Sequence, residues 1–169
     1  MGLPRKLKDF NLFNDGESYA GDVPELTLPK LSRKMEEYRA GGMPGPIEID
    51  FGNELIVLEW TAGGVLESAL KQYGLATHNG ALLRFSGAYQ SEDSEEVDSV
   101  DVVVRGRHKE IDFGNAKPAE DTQHKYTTTC SYYKLTVNGE TLIEIDIPNR
   151  IVMVGGVDRY ARIRKAIGL

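Results

Sequence analysis

The sequence predicts a mainly β fold of the α+β kind: an antiparallel β-sandwich or barrel with one outer helix and a C-terminal helix. Three observations lead there. Apolar and polar residues alternate over several stretches, an Asn138-Gly139 hairpin signal sits between two of them, and only two stretches have helical periodicity. The 169 residues suit a single domain, 1–169, with no internal repeat or linker.

Taken in order, Ile47, Ile49 and Phe51 alternate with Glu48 and Asp50, which gives a strand with one apolar and one acidic face. Leu55–Trp60, Leu82–Tyr89, Val97–Ile111 and Tyr126–Val137 are rich in Val, Tyr and Thr, residues that strands favour. Glu140–Ile147, with Ile143, Ile145 and Ile147 against Glu144 and Asp146, completes the Asn138-Gly139 hairpin with Tyr126–Val137. The outer helix is expected over Leu66–Leu75, where Leu66, Leu70 and Tyr73 form a stripe, Glu67 and Lys71 pair at i,i+4, and Gly74 is a stop. The C-terminal helix is expected over Val157–Ile167, with Asp158 in its first turn and Arg162, Arg164 and Lys165 in its last. Two segments read as extended connections leaving the β body. One is Tyr38–Pro46, with three glycines and two prolines; the other is Gln90–Asp101, crowded with carboxylates and expected to be a solvated hairpin tip.

Composition narrows the function. A net charge of −6, from 26 acidic and 20 basic residues, provides no net positive field to draw in a polyanion. A lone cysteine, Cys130, excludes an internal disulfide and a cysteine-cluster metal site. No signal-peptide apolar region opens the chain and no run of 18 apolar residues occurs, so a soluble product of cytoplasmic synthesis is expected, without membrane insertion.

Reactive constellations are wanting. His78, His108 and His124 lack ligand spacing and read as solvated strand residues. Cys130, on an alternating strand, reads as a small buried residue rather than a nucleophile. Glu144 and Asp146 could form an acid/base couple, but any half-exposed strand presents that pattern. Gly63-Gly64 before a helix lacks the rest of a phosphate-binding motif. Arg105, Arg107 and Lys109 lack interleaved aromatics for nucleic-acid stacking; alternation places them on one strand face, where they could meet an acidic neighbouring subunit. Metal, cofactor and catalytic roles are therefore not expected. An assembly protein is favoured, with a stand-alone small-ligand-binding β-barrel and a hydrolase using Glu144 and Asp146 as alternatives.

An ordered set of short segments carries a resemblance: Pro4-Arg5-Lys6-Leu7, Asn11-Leu12-Phe13, Leu26–Leu31, Tyr38–Met43, Glu59-Trp60 with Gly63-Gly64, Arg105–Asp112, Tyr132–Leu135, Glu144-Ile145-Asp146, Gly156–Arg159 and Ile167-Gly168-Leu169. Together they resemble the major tail tube proteins of contractile-tailed phages and R-type tailocins. The resemblance implies hexameric rings that stack helically into a hollow conduit inside a contractile sheath, each ring closing one continuous inner β-barrel. It implies genome ejection for a phage, or membrane puncture for a tailocin (a bacteriocin particle). The location would be a virion tail or an extracellular particle assembled in the bacterial cytoplasm. Partners would be a sheath protein, a baseplate or tube initiator, a tail terminator, and genomic DNA passing through without specific binding.

The same resemblance assigns inter-ring stacking to an extended loop at about 38–52, through Tyr38, Arg39, Ala40, Gly41, Gly42, Met43 and Pro44. Thr127, Thr129 and Ser131 share one strand face and Glu144 and Asp146 share another, and these are the lumen-facing candidates. Asp22 and Glu67 are the sheath-contact candidates, and Arg105, Arg107 and Lys109 the inter-subunit charges.

Overall fold

A computed structural model, describing residues 2–169, shows a mainly antiparallel β protein with two short helices. The strands are β1 (Lys6–Asn14), β2 (Glu17–Ser18), β3 (Glu25–Thr27), β4 (Arg33–Tyr38), β5 (Ile47–Asn53), β6 (Ile56–Ala62), β7 (Ala81–Gln90), β8 (Val97–Asp112), β9 (His124–Val137), β10 (Glu140–Asp146), β11 (Ile151–Val154) and β12 (Val157–Asp158). The helices are α1 (Glu67–Leu70) and α2 (Ala161–Ala166).

Ten strands form one sheet, ordered β12-β11-β10-β9-β8-β7-β1-β2, with β6 and then β3 added to β9. The second edge of β9 is divided: Lys125–Cys130 and His124 pair with β6, and Tyr132–Val137 with β10. The sheet curls: Tyr19, just after the edge strand β2, stacks on Trp60 of β6, and the chain then runs on along β6, the Gly63 N–H donating to the Asp22 carbonyl (2.7 Å) ahead of the β3–β6 pairing. Alternation then has a simple outcome. One face points into the enclosed core and the other points away from it.

The core is an aromatic stack on that inner face. Trp60 lies flat on Tyr126 with ring centroids 4.1 Å apart, Tyr19 covers the other side at 6.0 Å, and His108 meets both edge-on. Leu12, Leu58, Leu83, Phe85, Val102 and Val104 fill in around it. Such pairs contribute about 0.5–1.5 kcal/mol beyond their area burial. That gain offsets a cost, because Trp60 Nε1 and Tyr126 Oη are buried without a hydrogen-bond partner.

Both expected helices are shorter than their periodicity. α1 is a single turn, with no side-chain cap at Leu66, and continues as tighter turns (Tyr73 N–H to Leu70 O, 3.2 Å) up to Gly74. In the C-terminal segment the ladder takes precedence. Val157 and Asp158 pair with Val154 and Met153 around Gly155-Gly156, both at positive φ (60° and 81°), so the helix starts only at Ala161. Asp158 is an ion-pair partner, 2.8 Å from Arg164, and the Arg164 guanidinium and the Tyr160 N–H hold its carboxyl below the usual range.

The acidic 90–101 segment does close β7 onto β8, but it is not merely solvated. Ion pairs tie it to the N-terminal arm, Arg5 to Asp98 (3.1 Å) and Lys8 to Glu92, while the Ser91 hydroxyl donates to the Leu3 carbonyl (2.9 Å). At Asn138-Gly139 both residues have positive φ (49° and 81°), the geometry of a two-residue hairpin turn.

Candidate functional site

No cleft dominates the molecule; what it presents are surfaces. Among the described residues, no cluster of His, Cys, Asp or Glu is arranged to hold a metal ion, and no helix is long and apolar enough to cross a membrane.

The first surface is the outer face of the sheet. Thr127 lies opposite Glu110 and Glu59, and Thr129 opposite Arg107 and Val57, all pointing away from the buried Tyr126, Thr128 and Cys130. Glu144 pairs with Lys134, and Asp146 and Arg105 both pair with Tyr132. The hydroxyl and carboxylate candidates, expected on two separate faces, therefore share one face, together with Arg105 and Arg107. α1 lies on the opposite side, burying Ala69 and packing Leu66 and Leu70 into the core.

Two β-bulges decide the details. Between Arg105 and Gly106 the register shifts, so Ser131 is the extra residue of β9, and its hydroxyl is hydrogen-bonded to His78 Nδ1 (2.7 Å). Gly106 is required there, because a Cβ would fall 2.1 Å from the Thr129 carbonyl oxygen. The second shift, between His108 and Glu110, corrects the expectation that Lys109 shares a face with Arg105 and Arg107. As the extra residue, Lys109 lines a shallow groove with Leu70, Tyr73 and Phe113.

Both carboxylates have structural partners. The Tyr132 hydroxyl donates to Glu144 (2.9 Å), and burial followed by this contact pushes the phenol up to about 12. Asn149 donates its side-chain amide to Asp146 (2.8 Å).

The second surface is an arm. Residues 33–53, expected as a glycine-rich extended loop from Tyr38 onward, include a β4–β5 hairpin that forms its own two-stranded sheet. Tyr38, Arg39, Ala40, Gly41, Gly42, Met43 and Pro44 run from the end of β4 into the tip, where Gly42 has φ 85° and the Met43 N–H donates to the Ala40 carbonyl (3.2 Å). Tyr38 pairs with Ile47, and Ile49 and Phe51 follow on the same face, making an apolar stripe whose residues are 38–60% exposed. A lone two-stranded hairpin is marginal in water, and this one is anchored near its base by the Arg33–Asp50 ion pair and by Arg33 donating to Asn53 (3.1 Å).

The third surface lies on the α1 side, where Asp22 and Glu67 are exposed and the Asp22 backbone is tied to Gly63.

The histidines differ from expectation. His108 and His124 are buried, not solvated, and His78 lies in a loop. His108 belongs to a polar network that no spacing rule reveals. Nδ1 is 2.8 Å from Thr128 Oγ1, Nε2 is 3.0 Å from Gln72 Oε1, and Gln72 exchanges amide hydrogen bonds with Asn14 (2.7 and 3.0 Å). Burial pushes the imidazole down to about 4. Cys130 is buried as expected, its thiol pushed up to about 12 by burial.

A bare polar sheet face, an apolar hairpin reaching away from the body and an exposed third side describe a building block. Comparison with known proteins agrees: the chain matches the phage tail tube protein FII family over residues 4–168. It belongs to that family. It is 45% identical to the tail tube protein of Escherichia phage P2 over the whole of both chains. It is 40% identical to the major tail tube protein of Serratia phage KSP20, covering all of this chain and 99% of the other. The fold is shared more widely. The sheath/tube terminator structure of the PVC extracellular contractile injection system superposes with a TM-score of 0.59 at 11% identity, covering 79% of this chain and 96% of that one. The anti-feeding prophage tube-terminating cap gives 0.60 at 12%, covering 80% and 93%.

Proposed function

We propose that this protein is the structural subunit of the inner tube of a contractile injection apparatus, in a virion tail or a related extracellular particle, with no enzymatic role. Family membership over the full length supports this, and the observation that carries it in the structure is the arm. An apolar hairpin that meets the body at its base, where Arg33 and Phe51 border Ile147 and Ile151, and leaves Tyr38, Ile47 and Ile49 exposed beyond it, is a liability in a monomer and a connector in a stack.

In this reading copies close into hexameric rings by lateral strand pairing. β1 leaves Lys6–Asn11 unpaired on one side, and the β10–β12 wing stands at the opposite end of the sheet order. The arm bridges to the next ring through its apolar stripe and the 38–44 tip. The outer sheet face, with Thr127, Thr129, Ser131, Glu144 and Asp146, lines the channel, and Asp22 and Glu67 face a sheath subunit. An initiator at one end, a terminator at the other and DNA in transit complete the set of partners.

Negative-stain images of purified protein test the reading. Wild-type protein should form tubes, whereas Ile49→Ser/Phe51→Ser should leave isolated rings. Monomers alone, or unchanged tubes from the double variant, would overturn the proposed assembly.

A further inference from the structure

We infer that the channel face carries a basic belt that touches the phosphodiester backbone of duplex DNA in transit; this rests on the lumen reading above. Register builds the belt. Arg84 pairs with Val103 and Val103 with Lys134, so Arg84 and Lys134 share a row across β7, β8 and β9, and Arg105 and Arg107 follow along β8. Two strand spacings and four residues make a patch of about 10 by 13 Å. Beyond it lie carboxylates: Glu59, Glu110 and Asp112 past Arg107, and Asp101 and Asp9 past Arg84.

Among the described residues none of the four is in an ion pair, though Arg84 stacks on the Phe13 ring (4.2 Å) and Arg107 donates to the Ala76 carbonyl (3.4 Å). The two carboxylates within the patch, Glu144 across from Lys134 and Asp146 across from Tyr132, accept hydrogen bonds from Tyr132 and Asn149, and the cations outnumber them. A neighbouring subunit is a poor partner, because β8 is flanked by β7 and β9 and its side chains project from the middle of the face. What reaches the middle of a channel wall is what passes through the channel. Guanidinium forks match phosphate oxygens, and a duplex offers a charge about every 1.7 Å. Acidic rims on both sides repel the same phosphates, so contact is local and the thread keeps sliding.

The test uses assembled tubes and a short fluorescent DNA duplex in 50 mM salt. Wild-type tubes should bind it with affinity that falls as salt rises; Arg105→Gln/Arg107→Gln tubes should bind about tenfold more weakly, with a shallower salt slope. No binding by wild-type tubes, equal binding by both, or preference for polyglutamate over the duplex would overturn the belt. So would failure of the double variant to assemble with rescue by Arg105→Lys/Arg107→Lys, which would place the arginines in an interface. The lumen reading is checked separately with Thr129→Cys, whose thiol should react with a small maleimide in tubes but be shielded from one attached to a carrier wider than the channel. Labelling by the wide reagent overturns that reading and the belt with it; shielding combined with equal duplex binding overturns the belt alone.

Discussion

Acidification should destabilise the subunit through one buried imidazole. His108 is 4% exposed, its ring packed edge-on against Trp60 and Tyr126, with Nδ1 on Thr128 and Nε2 on Gln72. The neutral ring fits these partners, with Nε2–H donating to the Gln72 carbonyl oxygen and Nδ1 accepting from the Thr128 hydroxyl. Burial lowers its pKa from 6.5 to about 4 in the fold, while the unfolded chain keeps the ordinary value. Above pH 6.5 neither state is protonated and the group adds no pH dependence. Between 6.5 and 4 only the unfolded chain takes up the proton, so stability falls with falling pH, by about 3 kcal/mol in all at 1.36 kcal/mol per unit. Urea unfolding of dissociated subunits at pH 7.5, 6.0, 5.0 and 4.5, for wild type and His108→Gln, isolates the effect. All other groups are common to both proteins and cancel in the difference. The variant should be less stable at pH 7.5, and the gap should narrow by about 3 kcal/mol on approaching pH 4. A gap that stays constant across this range would refute the assignment.

Two further outcomes follow from the same interior. Gly106→Ala places a methyl 2.1 Å from the Thr129 carbonyl oxygen, so unfolding free energy should drop by at least the upper end of the roughly 1–3 kcal/mol typical of overpacking; unaltered urea midpoints would mean the two strands do not approach as closely as described. Cys130, buried and with its thiol pushed up to about 12, should resist a thiol reagent in the native protein and react promptly in urea; rapid native labelling would contradict its burial.

Long strands were legible because their two faces differ. β7, β8 and β9 alternate between core and outside over much of their length, and Asn138-Gly139 fixes one hairpin outright. Gly155-Gly156 carries the same signal, but the helical stripe that begins at Val157 hid it. β4 was invisible for a different reason. Arg33-Lys34-Met35-Glu36-Glu37-Tyr38 has no apolar face because none of it is buried, and its pairing with β5 supplies the order that its own pattern lacks. The bulges escaped because period-two reasoning assumes an unbroken register, and a single extra residue moved Lys109 off the face it was assigned. His108 and His124 escaped because the sheet curls over a face that, in the sequence, is a run of charged neighbours: Arg107, Lys109 and Glu110 surround His108 while its own side chain points inward.

Under the proposed lumen assignment, this division between faces lets one sheet hold a subunit together and serve a channel. The stability-bearing contacts, from the Trp60–Tyr126 stack to the His108–Gln72–Asn14 network, are all made by residues turned inward. Outward residues of the same strands contribute little to folding. Among the described residues Arg105 and Arg107 have no ion pair, and an exposed pair would add only about 0–1 kcal/mol in any case. The outer face can therefore vary in charge with small cost to the fold, as belts and rims of either sign, provided the alternation and the Gly106 crossing persist. The chain's net −6 is correspondingly uneven. Much of the acidity lies on the 92–101 loop and on the rims, and the middle of the outer face runs basic. A whole-chain charge is thus a poor guide to the charge that one sheet face presents; the row-by-row register of β7, β8 and β9 is the quantity that decides it.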